Sequence, residues 1–94
     1  MISHNLRILL GAAIEKHVSE YLELYESRFS GINDVKNFYY FVADVLQGQG
    51  VPDDKILGLY HAHKVNYLLL KKNSVSASEF ARRLLEGLDE NKSR

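Results

Sequence analysis

The side chains best suited to chemistry near neutral pH are four histidines, His4, His17, His61 and His63, because imidazole alone titrates there unperturbed. His17 and His63 fall on the apolar faces of helical patterns, and His4 and His61 do not. A metal site needs two or three converging ligands, commonly four residues apart on one helix. His61 and His63 are two apart, so on a helix they point to nearly opposite sides. His17 and His63 could meet only through the fold. The pattern reads as core or boundary histidines, with a pH-sensitive contact as the sharper use, and no metal or other cofactor is expected.

Nucleophilic catalysis is as poorly served. The chain has no cysteine, which removes thiolate nucleophiles, disulfides, iron–sulfur clusters and cysteine zinc sites. No serine stands in a Gly-x-Ser-x-Gly elbow, the strained turn that exposes a hydrolase nucleophile. The paired acids Asp53-Asp54 and Asp89-Glu90 are accounted for by a helix start and a polar tail. Gly48-Gln49-Gly50 is too short for a phosphate loop, and no Lys-Ser or Lys-Thr pair follows it. A non-enzyme is expected.

Charge is balanced overall and uneven along the chain. Residues 1–54 hold eight acids and four bases, a balance of −4, and residues 55–94 hold the reverse, +4. The halves could attract each other within the fold, or form a charged face for an opposite partner. The basic half permits a nucleic-acid reading, with Lys71, Lys72, Arg82 and Arg83 as contacts on a helix-turn-helix. Against it, Glu79 stands in the first turn of the would-be reading helix, and a net charge of zero gives little nonspecific affinity.

Aromatics are the other surplus, at six tyrosines and four phenylalanines. Phe38-Tyr39-Tyr40-Phe41 spreads rings round more than half a helix. Tyr40 points away from the core stripe, and exposed tyrosines favour interfaces. Tyr21, Tyr25, Tyr60 and Tyr67 are expected in the core.

Four helices must position these groups. The first spans about 3–28, capped by Ser3 and stopped at Ser30-Gly31. Its stripe is Leu6, Leu10, Ile14, Val18, Tyr21, Tyr25 and Phe29, widened by Leu22 and Leu24. At about 39 Å it is long for the domain, which invites packing across a dimer. The second spans about 33–47 with Val35, Phe38, Tyr39, Val42, Val45 and Leu46 inward, and Gly48 and Gly50 end it. The third starts at Pro52, with Asp53 and Asp54 on the positive end of its dipole, and runs through Leu70. Residues 65–70 could instead be a strand, but no second strand is there to pair with them. The fourth opens with a capping box, Ser76 and Glu79, and a staple, Val75 and Phe80. The expected fold is all-α: a small antiparallel bundle of about four helices over residues 1–88, with 89–94 a polar tail. No apolar run approaches the roughly 20 residues of a membrane span, and residues 1–7 have no signal-peptide pattern, so a cytoplasmic protein without membrane contact is expected.

The segment Leu70-Lys71-Lys72-Asn73-Ser74-Val75-Ser76-Ala77-Ser78-Glu79-Phe80-Ala81-Arg82-Arg83-Leu84 resembles small helical toxin-immunity proteins of the colicin-D and bacteriocin types, in which a capped helix follows a short basic turn. Size, helix content and absence of cysteine are similar too. The resemblance implies a bacterial, non-catalytic inhibitor that binds and occludes one cognate toxin through an acidic face. That face would comprise Glu15, Glu23, Glu26, Asp34 and Asp44, with Tyr40 as anchor. The expectation is therefore a protein-binding module of the immunity or antitoxin type. The alternatives are a nucleic-acid-binding regulator using the last two helices, and a structural subunit dimerising through the first.

Overall fold

The computed structural model describes residues 2–26, 29–72 and 76–92, with side chains over 2–26, 29–64 and 76–88. Among the described residues are five helices and no strand: α1 (His4–Glu20), α2 (Leu22–Glu26), α3 (Ile32–Gly48), α4 (Asp53–Lys72) and α5 (Ala77–Lys92). The all-α bundle expected from the sequence is the fold, and residues 65–70 are helical.

The long first helix is the main departure. α1 has 17 residues, about 26 Å, and stops where Tyr21 leaves helical geometry (φ −129°, ψ 44°). Leu6, Leu10, Ile14 and Val18 before the break and Tyr25 and Phe29 after it are all buried. The cost falls on Tyr21 and Leu22, which turn outward, 52% and 51% exposed. Tyr21 is thus not a core residue, and the excess length that favoured a dimer through the first helix disappears. Tyr67 lies outside the described side chains.

α3 is the central element, with α1, α4 and α5 packed on it. Val35, Phe38, Tyr39, Val42, Ala43 and Leu46 are buried, while Val45 is only half-buried. At its end Gly50 takes φ +87° and the Val51 N–H returns to the Leu46 carbonyl at 3.1 Å. This left-handed closure turns the chain toward α4. Along α1, Ser3, Tyr40's neighbour Arg7 and Glu15 meet Gln47, Tyr40 and Lys36 of α3 in descending order, so α1 and α3 run antiparallel. α4 antiparallels α3 likewise, with Asp53 at Gln47 and the Lys64 carbonyl at Tyr39. Ile56 and Tyr60 of α4 and Phe80, Ala81 and Leu84 of α5 complete the core.

Three helix ends are tied at one point. The Gln47 side chain accepts the Ser3 N–H (2.7 Å) and donates to Asp53 Oδ1 (2.6 Å) and to Ser3 Oγ (3.2 Å). Ser3 Oγ in turn accepts the Leu6 N–H at 3.3 Å, capping α1, and donates to Asp53 Oδ2 at 3.3 Å. Asp53 belongs to the first turn of α4, where a carboxylate also complements the helix dipole.

The start of α5 is half of the expected box. Ser76 Oγ accepts the Glu79 N–H at 3.2 Å, but the Glu79 carboxylate runs forward to Arg83 (3.4 Å) and Arg82 (3.5 Å). Val75 of the expected staple lies outside the described residues. α5 continues to Lys92, into the segment read as a polar tail.

Replacing Gln47 by Ala leaves Asp53 and the Ser3 amide without their shared partner. It should cost about 1–3 kcal/mol, read as a lower urea midpoint at unchanged slope, whereas Gln49→Ala, at an exposed neighbouring position, should stay within about 0.5 kcal/mol.

Candidate functional site

Two grooves bring together residues that the sequence singles out separately. The first lies where α1 breaks into α2 and the chain turns into α3. It encloses about 320 Å³ between Val18, Leu22, Tyr25, Phe29, Ile32 and Val35, with Glu26, Ser30 and Gly31 also lining it. The larger part of its wall is apolar, supplied inside by the core residues Val18, Tyr25, Phe29 and Val35, and the rest is polar. Leu22 and Ile32 stand exposed at its mouth. Glu26, one turn on from Leu22, belongs to the lining, and exposed Glu23 stands three residues before it on α2. A volume near 300 Å³ is the low end for small-ligand pockets and suits one or two inserted side chains.

The second groove, about 350 Å³, runs between α1 and α3 and is lined by His4, Arg7, Ile8, Gly11, Ala12, Glu15, Lys36 and Tyr40. Tyr40 and Glu15 therefore do come together, though not as a protruding anchor beside a free carboxylate. Tyr40 is half-buried. Its hydroxyl donates to the Arg7 carbonyl at 3.5 Å, and the Arg7 guanidinium sits 5.0 Å over its ring. A Cβ on Gly11 would come within 2.5 Å of that hydroxyl, so this approach needs glycine there. Glu15 is bound by Lys36 at 2.5 Å, and that hydrogen bond holds the Lys36 ammonium above its ordinary pKa. The exposed ring of the aromatic run is Phe41, 48% exposed, rather than Tyr40.

The other expected residues scatter. Asp34 accepts the Ser30 N–H at 3.1 Å and so helps shape the turn beside the first groove. Asp44 is half-buried on α3, and Glu23 and Glu26 are exposed. Arg82 pairs with Glu86 at 2.6 Å and Arg83 with Glu79 at 3.4 Å, so both are engaged by acids of their own helix. Lys71 and Lys72 lie outside the described side chains. Leu22 and Ile32 are the residues that sequence reasoning misses at the groove. At 100° per residue Leu22 falls about 160° from Leu6, off the buried stripe, and that phase is the signal that would have exposed it.

Beneath the first groove lies a buried polar chain. His17, 6% exposed, hydrogen-bonds through Nδ1 to the Tyr25 hydroxyl. That hydroxyl is 3.4 Å from the Tyr39 hydroxyl, which donates to the Lys64 carbonyl at 3.4 Å. Aromatic edges pack the same groups, with Tyr39 and Tyr60 rings 5.0 Å apart and His17 4.8 Å from Tyr21. Burial lowers the His17 pKa, Lys64 and His61 lower it further, and Glu20 opposes them. Burial likewise raises the Tyr25 pKa, with hydrogen bonds to Tyr39 and Tyr60 opposing. Among the described residues no group of three or more His, Asp or Glu side chains converges as metal ligands would. Nor is any helix among them long and apolar enough to cross a membrane.

Because folding lowers the His17 pKa, the unfolded chain binds more protons at mildly acidic pH. Stability from this group is fully present above the ordinary histidine value near 6.5. It declines as pH falls from there toward the folded-state value, with a slope of at most about 1.4 kcal/mol per pH unit. Urea unfolding between pH 7.5 and 5 should show that loss, and His17→Gln should flatten it.

No family model matches the chain, and no curated protein or solved structure is found to match it.

Proposed function

We propose that the chain is a non-catalytic protein-binding module that blocks a cognate protein by occupying its surface, in the manner of an immunity or antitoxin-type inhibitor. The observation that carries this reading is the groove at the α1–α2–α3 junction. It is a largely apolar recess with exposed Leu22 and Ile32 at its mouth and the exposed Glu26 in its lining, and exposed Glu23 stands three residues before Glu26 on α2. Apolar pockets with polar rims are where binding energy concentrates in protein interfaces. The complementary partner offers a bulky aliphatic or aromatic side chain flanked by lysine or arginine. The side chain fills the recess, and the rim charges speed encounter and fix register. This moves the contact away from Tyr40, which is engaged with Arg7 and α1, and keeps Glu23 and Glu26 from the face expected on sequence grounds. Arg82 and Arg83 are engaged within α5, which weighs against their reading bases.

The test is recovery of partners from native lysate at low salt on the tagged chain, with and without nuclease, beside Leu22→Arg and Glu26→Lys variants. Both positions are exposed, so the fold should tolerate the changes. The expected result is one stoichiometric protein that survives nuclease and binds each variant at least tenfold more weakly, about 1.4 kcal/mol. A partner bound equally well by both variants would sink this choice of face. Nucleic acid recovered in place of protein, and lost on Arg82→Ala with Arg83→Ala, would replace the reading with the regulator. A chain that recovers nothing and sediments as a dimer would replace it with the structural subunit.

A further inference from the structure

We infer that the groove is acid-sensitive: a proton on His17 makes a buried cation, and as the imidazolium takes up water its hydrogen bond to the hydroxyl draws Tyr25, the groove's inner wall, out of place. The inference rests on the groove being the binding site of the proposed function.

Tyr25 does two things at once. Its side chain lines the groove beside Val18, Leu22 and Val35, while its hydroxyl points inward to His17 and Tyr39. The direction of the chain follows from its far end. The Lys64 carbonyl can only accept, so Tyr39 spends its proton there and is left to accept from Tyr25. Tyr25 is left to accept from His17. Neutral His17 is thereby assigned the Nδ1–H tautomer, and the basic site is Nε2.

A proton arriving at Nε2 makes a buried cation. The groups facing it are Glu20 and Tyr21 on its own side of the break, Tyr25 of α2, Tyr39 of α3, and Tyr60, His61 and Lys64 of α4. Glu20 alone among them favours the charge on His17, and Lys64 and His61 oppose it. An imidazolium in these surroundings has to gain water. The nearest place for the backbone to give is Tyr21, already outside helical geometry at φ −129°, whose N–H bonds the His17 carbonyl at 3.0 Å. Opening there carries Leu22 and Tyr25 away from Ile32 and Val35, the opposite wall. Burial and Lys64 keep His17 neutral at pH 7, so the groove is formed at neutrality and opens in acid. A partner that needs the formed groove loses affinity by at most about tenfold one pH unit below the ordinary histidine value.

The experiment is a nuclear magnetic resonance titration of the isotope-labelled chain alone from pH 7.5 to 4.5. It follows the His17 ring and the methyls of Val18, Leu22, Ile32 and Val35, with Leu46 as a core control. The groove methyls should move with the His17 midpoint, and that midpoint should fall below 6.5. In Tyr25→Phe, His17 should still titrate while the groove methyls lose at least half their response, and in His17→Gln they should stay flat. Methyls that are flat through the wild-type His17 titration, or that follow it undiminished in Tyr25→Phe, overturn the inference. So do methyls that still titrate in His17→Gln. Should His17→Gln not fold, Tyr25→Phe, which keeps the ring, decides alone. The titration needs no partner, so it stands or falls separately from the recovery of one from lysate.

Discussion

α3 receives α1, α4 and α5 on one broad apolar stripe. Its buried residues, from Val35 to Leu46, include neighbours such as Phe38-Tyr39 and Val42-Ala43. At 100° per residue all of them fall within one arc of about 140°, wide enough to bury neighbours in sequence side by side. The rest of the circumference carries half-buried Lys36 and Tyr40 against α1 and exposed Asn33, Asn37 and Phe41. The aromatic surplus follows from this demand. A small domain has few layers to fill, and rings reach from a central helix to several neighbours at once. Edge-on contacts connect Phe29 to Phe38, Phe38 to Tyr39 and Tyr39 to Tyr60, and each link joins a different part of the chain to α3 or lies within it.

Tyrosines in such a core bring hydroxyls that have to be satisfied inside it. The His17–Tyr25–Tyr39 chain ending on a backbone carbonyl does this for two of them. The arrangement ties the helix break to α4 through side chains, so the most irregular stretch of the fold is also held by polar contacts. Apolar packing alone would hold many neighbouring geometries nearly as well. A hydrogen-bonded chain holds one, and that is what gives the adjoining groove a defined shape.

Much of this was legible in the residues, and the limits are physical. Leu6, Leu10, Ile14 and Val18 sit on one face at any reasonable helix rotation, and Ser76 announced α5 through a local bond that needs no tertiary context. The break at Tyr21 has no glycine or proline to mark it. The stripe's spacing places Tyr21 between buried Leu10 and Ile14 on the helical wheel, yet the break turns it outward. The position of Tyr40 depends on Gly11, 29 residues away, and nothing in the tyrosine's neighbours in sequence carries that fact. The same holds for Glu15 and Glu26. Both are acids on exposed helix faces, yet one is bound by Lys36 and the other stands beside an apolar recess. For residues 65–70 the order of preference between helix and strand could be argued only from the lack of a pairing partner, and the helix is what the chain adopts.

The knot of Ser3, Gln47 and Asp53 has a consequence for how this sequence can drift over generations. Each of the three side chains bonds the other two, so a change at one alters what the remaining pair can tolerate. Variation there should be correlated rather than independent: a residue at position 3 that cannot accept an amide proton calls for a matching change at 47, and with it at 53. Three positions separated by 44 and 6 residues thus behave as a single inherited character, and chains sharing this fold should keep or replace the set together.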